Sequence, residues 1–194
     1  MESLNEAIAQ WTGHKRWKLQ YRATLHGFAP NDFHSRCNDK GESLVIYKDE
    51  SGYIYGGYTK IGWQNFDEDS DLLGIYDPEA FVFSLLNPKR IPPVQFKQRK
   101  YSSEEVECYS VYYDYERGPS FCVDRENLLL GWSCKKNELF IDTDHLFQYF
   151  QDPTEYSPIN YETFDFTDRD WQTFTCNRCK LTEIEVFVLE SNEM

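Results

Sequence analysis

Four short segments decide the fold: Trp17-Lys-Leu-Gln-Tyr-Arg-Ala-Thr24, Ser43-Leu-Val-Ile-Tyr-Lys48, Tyr53-Ile-Tyr-Gly-Gly-Tyr-Thr59 and Phe81-Val-Phe-Ser-Leu-Leu86. In the first segment, apolar side chains at positions 17, 19, 21 and 23 alternate with polar ones. This period of two is typical of a half-buried strand. The second and third segments are joined by Asp49-Glu-Ser-Gly52, a polar turn of the kind that connects antiparallel neighbours. The segments therefore predict an antiparallel sheet.

Further strand-forming runs lie outside these segments, at residues 94–99, 108–115, 128–133, 138–141 and 183–189. Helices are few. Ser3-Leu-Asn-Glu6 has the form of a capping box, and apolar residues at helical spacing follow it as far as Gly13, so residues 1–13 predict an N-terminal helix. Pro30 opens a second short helix over residues 32–37. The pattern predicts a mainly β (α+β) fold, in which two antiparallel sheets form a β-sandwich with short flanking helices.

The chain of 194 residues predicts a single domain, 1–194, because no flexible linker divides it. Aromatic residues make up 17% of the chain, which is typical of a globular protein and not of a disordered one. The least regular region is 148–170, which we interpret as a surface excursion. Long loops in compact domains are often functional or disordered.

The charge of the chain restricts its partners. A formal net charge of -13 disfavours nucleic acid and anionic lipid surfaces, which both need a basic footprint. A basic patch on another protein is the easier electrostatic partner. No apolar run approaches the ~20 residues of a membrane helix, so we expect no membrane insertion. The N-terminus has no signal-peptide pattern, and we predict a cytoplasmic location.

Two pairs of residues suggest thiol chemistry. His34 and Cys37 lie three apart on the second predicted helix and share a face, as a nucleophile and its base would. The alternative is that His34 hydrogen-bonds a carbonyl group while Cys37 packs as a small hydrophobe. Cys176-Asn-Arg-Cys179 has the spacing of a metal knuckle. Zinc needs four ligands, so His34, Cys37, Cys176 and Cys179 are the candidate set, against two reduced cysteines at a turn before the last strand.

An acidic run, Asp67-Glu-Asp-Ser-Asp71, resembles half of a calcium loop in which Asp67, Asp69 and Asp71 would be ligands. A calcium-binding EF-hand needs Gly at its sixth position and Glu at its twelfth, where this chain has Leu72 and Pro78. A solvated acidic loop is therefore the preferred interpretation. We predict no cofactor, with structural zinc or calcium as the alternatives.

Common signatures of enzymes are missing from the sequence. It contains no GxGxxG, phosphate-binding loop, HExxH or GxSxG motif. Clusters of tyrosines at 53–58 and 109–115 can line a ligand groove, although cross-strand aromatic pairs in a core are the more frequent arrangement. An ordinary enzyme is disfavoured, and no catalytic residue is predicted.

Several motifs together resemble the TLDc domain family. They are the strand segments already quoted, with Gly27-Phe-Ala-Pro-Asn-Asp-Phe-His-Ser-Arg-Cys37, Lys40-Gly-Glu-Ser-Leu-Val-Ile46, Gly118-Pro-Ser-Phe121 and Glu183-Ile-Glu-Val-Phe187. The resemblance begins at the helix around Trp11 and covers nearly the whole chain. It implies a sandwich of two antiparallel sheets with short helices around them. The residues that match the family motifs are expected to be mostly structural: Phe33, His34, Gly41, Gly56, Gly57, Phe81, Phe83, Ser84, Glu183 and Glu185.

The resemblance also implies function. Some members of the family protect cells against oxidative stress, and several bind the cytosolic sector of the vacuolar proton-pumping ATPase and regulate it. The chain departs from the family pattern at residues 122–136, which we interpret as an insertion or an extra hairpin, and at the Cys176–Cys179 pair. Since loops set specificity on a common scaffold, these departures bear on which partner is bound.

The leading prediction is a non-catalytic, cytoplasmic protein-interaction module that regulates a larger assembly, with the vacuolar ATPase as the named partner and stress resistance as a cellular outcome. Two alternatives stay open. One is a metal- or redox-linked protein using Cys176 and Cys179 with His34 and Cys37. The other is a β-sandwich that binds a small ligand between its aromatic strands.

Overall fold

A computed structural model of the chain describes residues 4–14, 16–64, 74–88, 90, 92–97, 111–112, 117–122, 128–133, 138–141 and 178–190. The helices in these ranges are α1 (Leu4–Thr12), α2 (Ala23–His26) and α3 (Pro30–Cys37). The strands are β1 (Trp17–Arg22), β2 (Ser43–Asp49), β3 (Ile54–Thr59), β4 (Gly74–Ile75), β5 (Phe81–Leu86), β6 (Val94–Lys97), β7 (Val111–Tyr112), β8 (Ser120–Cys122), β9 (Leu128–Ser133), β10 (Glu138–Ile141) and β11 (Arg178–Leu189).

The N-terminal helix ends where the sequence predicts. Gly13 adopts a left-handed φ of 74°, and its N–H donates to the carbonyl of Ala9 at 3.0 Å. A left-handed residue after the last turn is the usual way to end a helix. Ser3 of the predicted capping box lies outside the described residues. None of the helices in the described ranges is both long enough and apolar enough to cross a membrane.

The predicted strand over residues 17–24 is shorter than expected. It ends at Arg22, and Ala23–His26 form the single turn of α2. Gly27 closes that turn with a φ of 105° and an N–H bond of 2.8 Å to the carbonyl of Ala23. The alternation of apolar residues continues to Ala23, so the sequence pattern did not reveal this turn. The contact that holds it comes from the far end of the chain.

Antiparallel pairing dominates the sheet, as predicted. Six strands pair side by side in one sheet, in the order β6-β5-β3-β2-β11-β1. The mainly β, antiparallel character of the fold is therefore confirmed.

Strand β11 starts five residues before the predicted position, at Arg178. Its added residues pair with β10, which continues through β9 to β8. A separate pair joins β4 to β7. The described strands thus make one continuous path through β11 and one short ribbon. Two facing sheets forming a sandwich stay a prediction.

The six-stranded sheet is apolar on both faces. On one face, a cluster of buried residues (Leu44, Tyr58, Phe81, Phe83 and Leu85) packs beneath α1. Trp11 of α1 lies 6.2 Å from Phe81 and 5.8 Å from Phe83, measured between ring centroids. On the other face, Val45, Tyr47, Ile184 and Val186 are fully buried, together with Phe33, Trp63 and Phe121 from the surrounding segments.

Two consecutive glycines allow close packing on both faces. A Cβ atom on Gly56 would come within 2.2 Å of the Phe83 ring, and one on Gly57 would come within 2.3 Å of the Phe121 ring. Successive residues of a strand face opposite sides, so the pair leaves room for one aromatic ring on each face. Phe121 therefore places β8 against the face of the sheet.

The fit at Gly57 predicts that even one added methyl group is poorly tolerated. We expect Gly57→Ala to lower the free energy of unfolding by about 2–4 kcal/mol, because the Phe121 ring has no room to move aside. For a domain of this size that corresponds to a fall in Tm of roughly 2–4 °C per kcal/mol. Thermal melting followed by circular dichroism measures it.

The control is Gly13→Ala, where a Cβ atom meets nothing within 4 Å and only the left-handed backbone is strained. We expect that change to cost about 1 kcal/mol. Equal losses for the two variants would contradict the steric argument.

Candidate functional site

His34 links helix α3 to the segment that leads into β8. Its Nε2 lies 2.9 Å from the carbonyl oxygen of Arg117, and its Nδ1 lies 3.0 Å from Oδ1 of Asn38. A carbonyl oxygen only accepts, so Nε2 carries a proton and donates it. The imidazole is buried, and its neighbour Phe33 packs edge-on against Trp63 at 5.3 Å. Both ring nitrogens therefore contact protein atoms other than the thiol of Cys37.

Cys37 is fully buried on the same helix. Burial raises the pKa of its thiol to about 12, while Arg36 and Lys40 lower that pKa by a smaller amount. The thiolate is the form that attacks electrophiles and binds metals. At neutral pH the thiol is protonated, which does not suit either role.

The rest of the candidate metal ligands are only partly described. Cys176 and the aspartates Asp67, Asp69 and Asp71 lie outside the described residues. Cys179 lies on β11 opposite Leu139, and nothing is described of its side chain. Among the residues that the structure describes, no group of three or more His, Cys, Asp or Glu side chains is arranged to hold a metal ion. That the chain has no cofactor stays a prediction, with structural zinc or calcium as the alternatives.

The other family-motif residues of the first half lie in turns and in the core. Gly41 has a left-handed φ of 72° immediately before Glu42 and β2. Phe81 stacks on Tyr58 at 4.8 Å between ring centroids. Ser84 is buried, and its hydroxyl group has no hydrogen-bond partner within the described part of the chain. Phe81 and Ser84 pair across the strands with Tyr58 and Tyr55, the two residues that flank the glycine pair.

The tyrosines that were predicted either to line a ligand groove or to fill the core are divided by the structure. Tyr55 and Tyr58 are buried in the sheet. The hydroxyl group of Tyr58 donates to Glu42, which His14 also contacts at 3.1 Å. Tyr47 donates to the carbonyl of Pro119 at 2.6 Å, and its burial raises its pKa. Most of the second cluster, at residues 109–115, lies outside the described ranges.

The closing-motif glutamates bind the β1–α2 junction. The carboxylate of Glu183 accepts from the backbone N–H of Thr24 at 3.1 Å and from its hydroxyl group at 2.5 Å. Thr24 is the second residue of α2, so Glu183 satisfies a donor at the start of that turn. Glu185 accepts from Nε of Arg22 at 2.7 Å, directly across the paired strands. These two contacts explain why residues 23–26 leave the strand.

A groove lies beside α1 on the same face as these glutamates. It has a volume of about 400 Å³ and adjoins a second hollow of about 390 Å³. The two hollows share Ile46, Ile54 and Glu185, so they form one continuous surface across β3, β2 and β11. Leu4 and Ile8 of α1 form one wall, and Lys48, Thr182 and Glu183 lie at the far end. We call this surface the helix-side groove.

Sequence reasoning missed the helix-side groove. Trp63 is buried together with Tyr55 and Tyr58, and its indole N–H donates to the hydroxyl group of Ser43 at 2.8 Å. A usable signal for the groove was present. Ile46 and Phe187 are apolar residues that alternate with Val45, Tyr47, Val186 and Val188 along their strands, so they face the side of the sheet that carries Leu44 and Tyr58. Their pairing registers place Glu185 beside Ile46, which sequence alone does not reveal.

Comparison with known proteins identifies the family. The family model described as TLDc domain matches residues 1–190. Among curated proteins, the "MTOR-associated protein MEAK7" of Mus musculus is 32% identical over 50 residues, covering 26% of this chain and 11% of that protein. The Xenopus laevis protein of the same name is 28% identical over 85 residues, covering 42% and 16% respectively. The matched regions are thus a small part of these longer relatives. Together the matches indicate a regulatory or interaction protein.

The environment of Cys37 predicts how its thiol reacts. In the folded protein at pH 8 we expect Cys37 to resist alkylation by iodoacetamide, and to react once urea unfolds the chain. Peptide mapping by mass spectrometry distinguishes alkylation of Cys37 from alkylation of the other five cysteines. Labelling of Cys37 in the native state as fast as in urea would contradict the burial argument.

The same raised pKa gives a pH dependence of stability. The thiol ionises near pH 9 in the unfolded chain and near pH 12 in the fold, so its contribution is complete below about pH 9 and is lost as the pH rises toward 12. A Cys37→Ala variant should lose less stability over that interval than the parent does, as measured by urea unfolding at fixed temperature.

Proposed function

The chain belongs to the TLDc domain family, and from that premise we propose that it is a non-catalytic protein-interaction module that regulates a larger assembly. The observation that carries the proposal is the family match over residues 1–190. The chemistry of the described residues supports it. His34 and Cys37 are the residues that the sequence offers for catalysis. The ring of His34 contacts the carbonyl oxygen of Arg117, and the thiol of Cys37 is protonated at neutral pH because its pKa is raised. The glutamates of the closing motif hold backbone elements together.

Two assemblies are candidates for the partner. The family resemblance favours the cytosolic sector of the vacuolar proton-pumping ATPase, with oxidative-stress resistance as a cellular consequence. The name of the MEAK7 relatives, which describes them as MTOR-associated, favours an assembly that contains MTOR. Both imply a cytoplasmic location. We propose the ATPase as the first partner to test, since regulation there can be measured with purified components.

Electrostatics supports a basic docking patch on that partner. The net charge of -13 steers the chain toward positive surfaces and raises the association rate more than it raises the final affinity. Salt shortens the range of this steering, from about 30 Å at 0.01 M ionic strength to about 8 Å at 0.15 M.

The test is a pull-down of the purified protein with the cytosolic ATPase sector, with ATP hydrolysis measured in the same samples. We expect association at low salt, weaker association at higher salt and an altered rate of hydrolysis. Unchanged association between the two salt conditions would contradict electrostatic steering. No association even at low salt would remove the ATPase as partner, and capture on an MTOR-containing assembly would then be measured in the same format.

A second candidate function is metal- or redox-linked, through Cys176 and Cys179 with His34 and Cys37. Its support is the spacing of the two cysteines near the last strand. Metal analysis of the purified protein, with melting in the presence and absence of a chelator, separates the two functions. We expect less than stoichiometric zinc and the same Tm in both conditions. Stoichiometric zinc with a chelator-dependent fall in Tm would favour the second candidate.

A further inference from the structure

Among the described residues, α1 is the helix that packs on this face of the sheet, and it is too short to cover all of it. A helix of nine residues is about 13 Å long at 1.5 Å per residue. Six paired strands at about 4.8 Å spacing are roughly 24 Å wide. Helix α1 packs over Tyr58, Phe81 and Phe83, and the face toward β11 extends beyond it.

The uncovered part of this face is apolar. Ile46, Ile54 and Phe187 form the floor of the groove and are only partly buried, whereas the opposite face of the same strands is closed. Leu4, on the wall, retains 38% exposure. An apolar surface that is left open on a folded domain is typical of a binding site for another macromolecule.

The backbone of the floor determines what kind of segment can bind. Strand β2 is paired with β3 and β11 on its two sides, and β3 is paired with β2 and β5. An extended segment lying across this floor would find no unpaired strand edge to join. A helix satisfies its own backbone hydrogen bonds and needs only an apolar face, so it suits a groove of this kind.

The charged residues at the far end of the groove determine which sign of charge a bound segment carries there. Glu183 is half-buried and contacts the neutral groups of Thr24 and the N–H of Ile184, with no cation within ion-pair distance in the described part of the chain. Glu185 pairs with Arg22. Lys48 lies opposite Glu183 in the strand register and is exposed, and neither residue has an ion pair among the described residues. The carboxylate of Glu183 is therefore available to a cation from outside.

We propose that the helix-side groove binds an amphipathic helix of a partner protein. The aliphatic side chains of that helix pack on Ile46, Ile54 and Phe187, and a lysine or arginine of the helix lies beside Glu183. The bound helix lies next to α1 and extends the helical layer on this face of the sheet. The net charge of -13 likewise favours a positively charged partner. This inference rests on the proposed interaction function and adds the surface and the chemistry of the partner.

The probe is a synthetic 18-residue peptide with leucines at i, i+3, i+4 and i+7 spacing and lysines along the border of that face. One matched peptide has every lysine replaced by glutamate, and another has the same composition in an order that forms no apolar face. Fluorescence anisotropy of labelled peptides gives Kd at two salt concentrations. Binding by the first peptide, at least about tenfold tighter than by either matched peptide, is the expected result.

Protein variants locate the site. We expect the double variant Ile46→Thr/Ile54→Thr to bind the lysine peptide about tenfold more weakly or worse, because two contacts with the floor of the groove are lost. Glu183→Gln should weaken it by about threefold to tenfold and reduce its salt dependence, whereas Lys48→Gln should leave it equal or tighter. The matched control is Leu25→Thr, since Leu25 is 71% exposed on α2 and does not line the groove.

Each outcome decides the proposal. Equal binding of the peptide with no apolar face, or wild-type affinity in all groove variants, overturns it. If the double variant melts early, the Glu183→Gln and Lys48→Gln pair still decides the charge assignment. A dimer in solution that the double variant converts to monomers also overturns it, because a second copy would then occupy the groove.

The ATPase pull-down, repeated with the double variant, separates this inference from the proposed function. Capture by both proteins would retain the function and remove the groove as its interface. Peptide binding in the groove without capture would remove the ATPase as partner and retain the groove.

Discussion

The structure depends on the pairing of β11 with strands from distant parts of the sequence. Its residues pair with β2 over Leu181–Val188 and with β1 over Glu185–Leu189, while its first residues pair with β10. The first and last described strands are therefore neighbours, separated by more than 150 residues. Long-range pairing of this kind is slow to form, because the loop entropy is lost before the contacts compensate for it. Until β11 docks, β1 and β2 each lack a partner that they have in the fold.

The two faces of this sheet differ in how they are closed. One face is sealed by α3, Trp63 and β8, and the rings of Phe33, Trp63 and Phe121 form a chain of edge-to-face contacts across it. On the other face, the helix that packs on the sheet within the described ranges is α1, and the part over β2 and β11 is only partly buried. A domain with one closed face can tolerate an open one, because the core on the closed side supplies the stability. The separation allows binding residues to vary without loss of the fold.

The sequence predicted the positions of the strands better than it predicted the contacts between them. Residues 81–86, 128–133 and 138–141 form the strands that the sequence predicts, because short runs of large apolar and aromatic residues fit a pleated, half-buried surface. The end of β1 was missed because Glu183, a residue 159 positions away from Thr24, holds α2. His34 and Cys37 share a helix face as expected, but the direction of the imidazole depends on where Arg117 lies. The groove depends on registers and on the length of α1 together, and no local pattern contains either.

The closing-motif glutamates connect the groove to the rest of the domain. Their side chains line the far end of the groove and, on their other side, hold Thr24 and Arg22. A cation beside Glu183 would lie next to the carboxylate oxygens that accept from Thr24. The residues that the motif comparison assigns to structural support therefore have two kinds of contact. They hold the turn of α2 and the end of β1, and they line the surface where we propose that a partner binds.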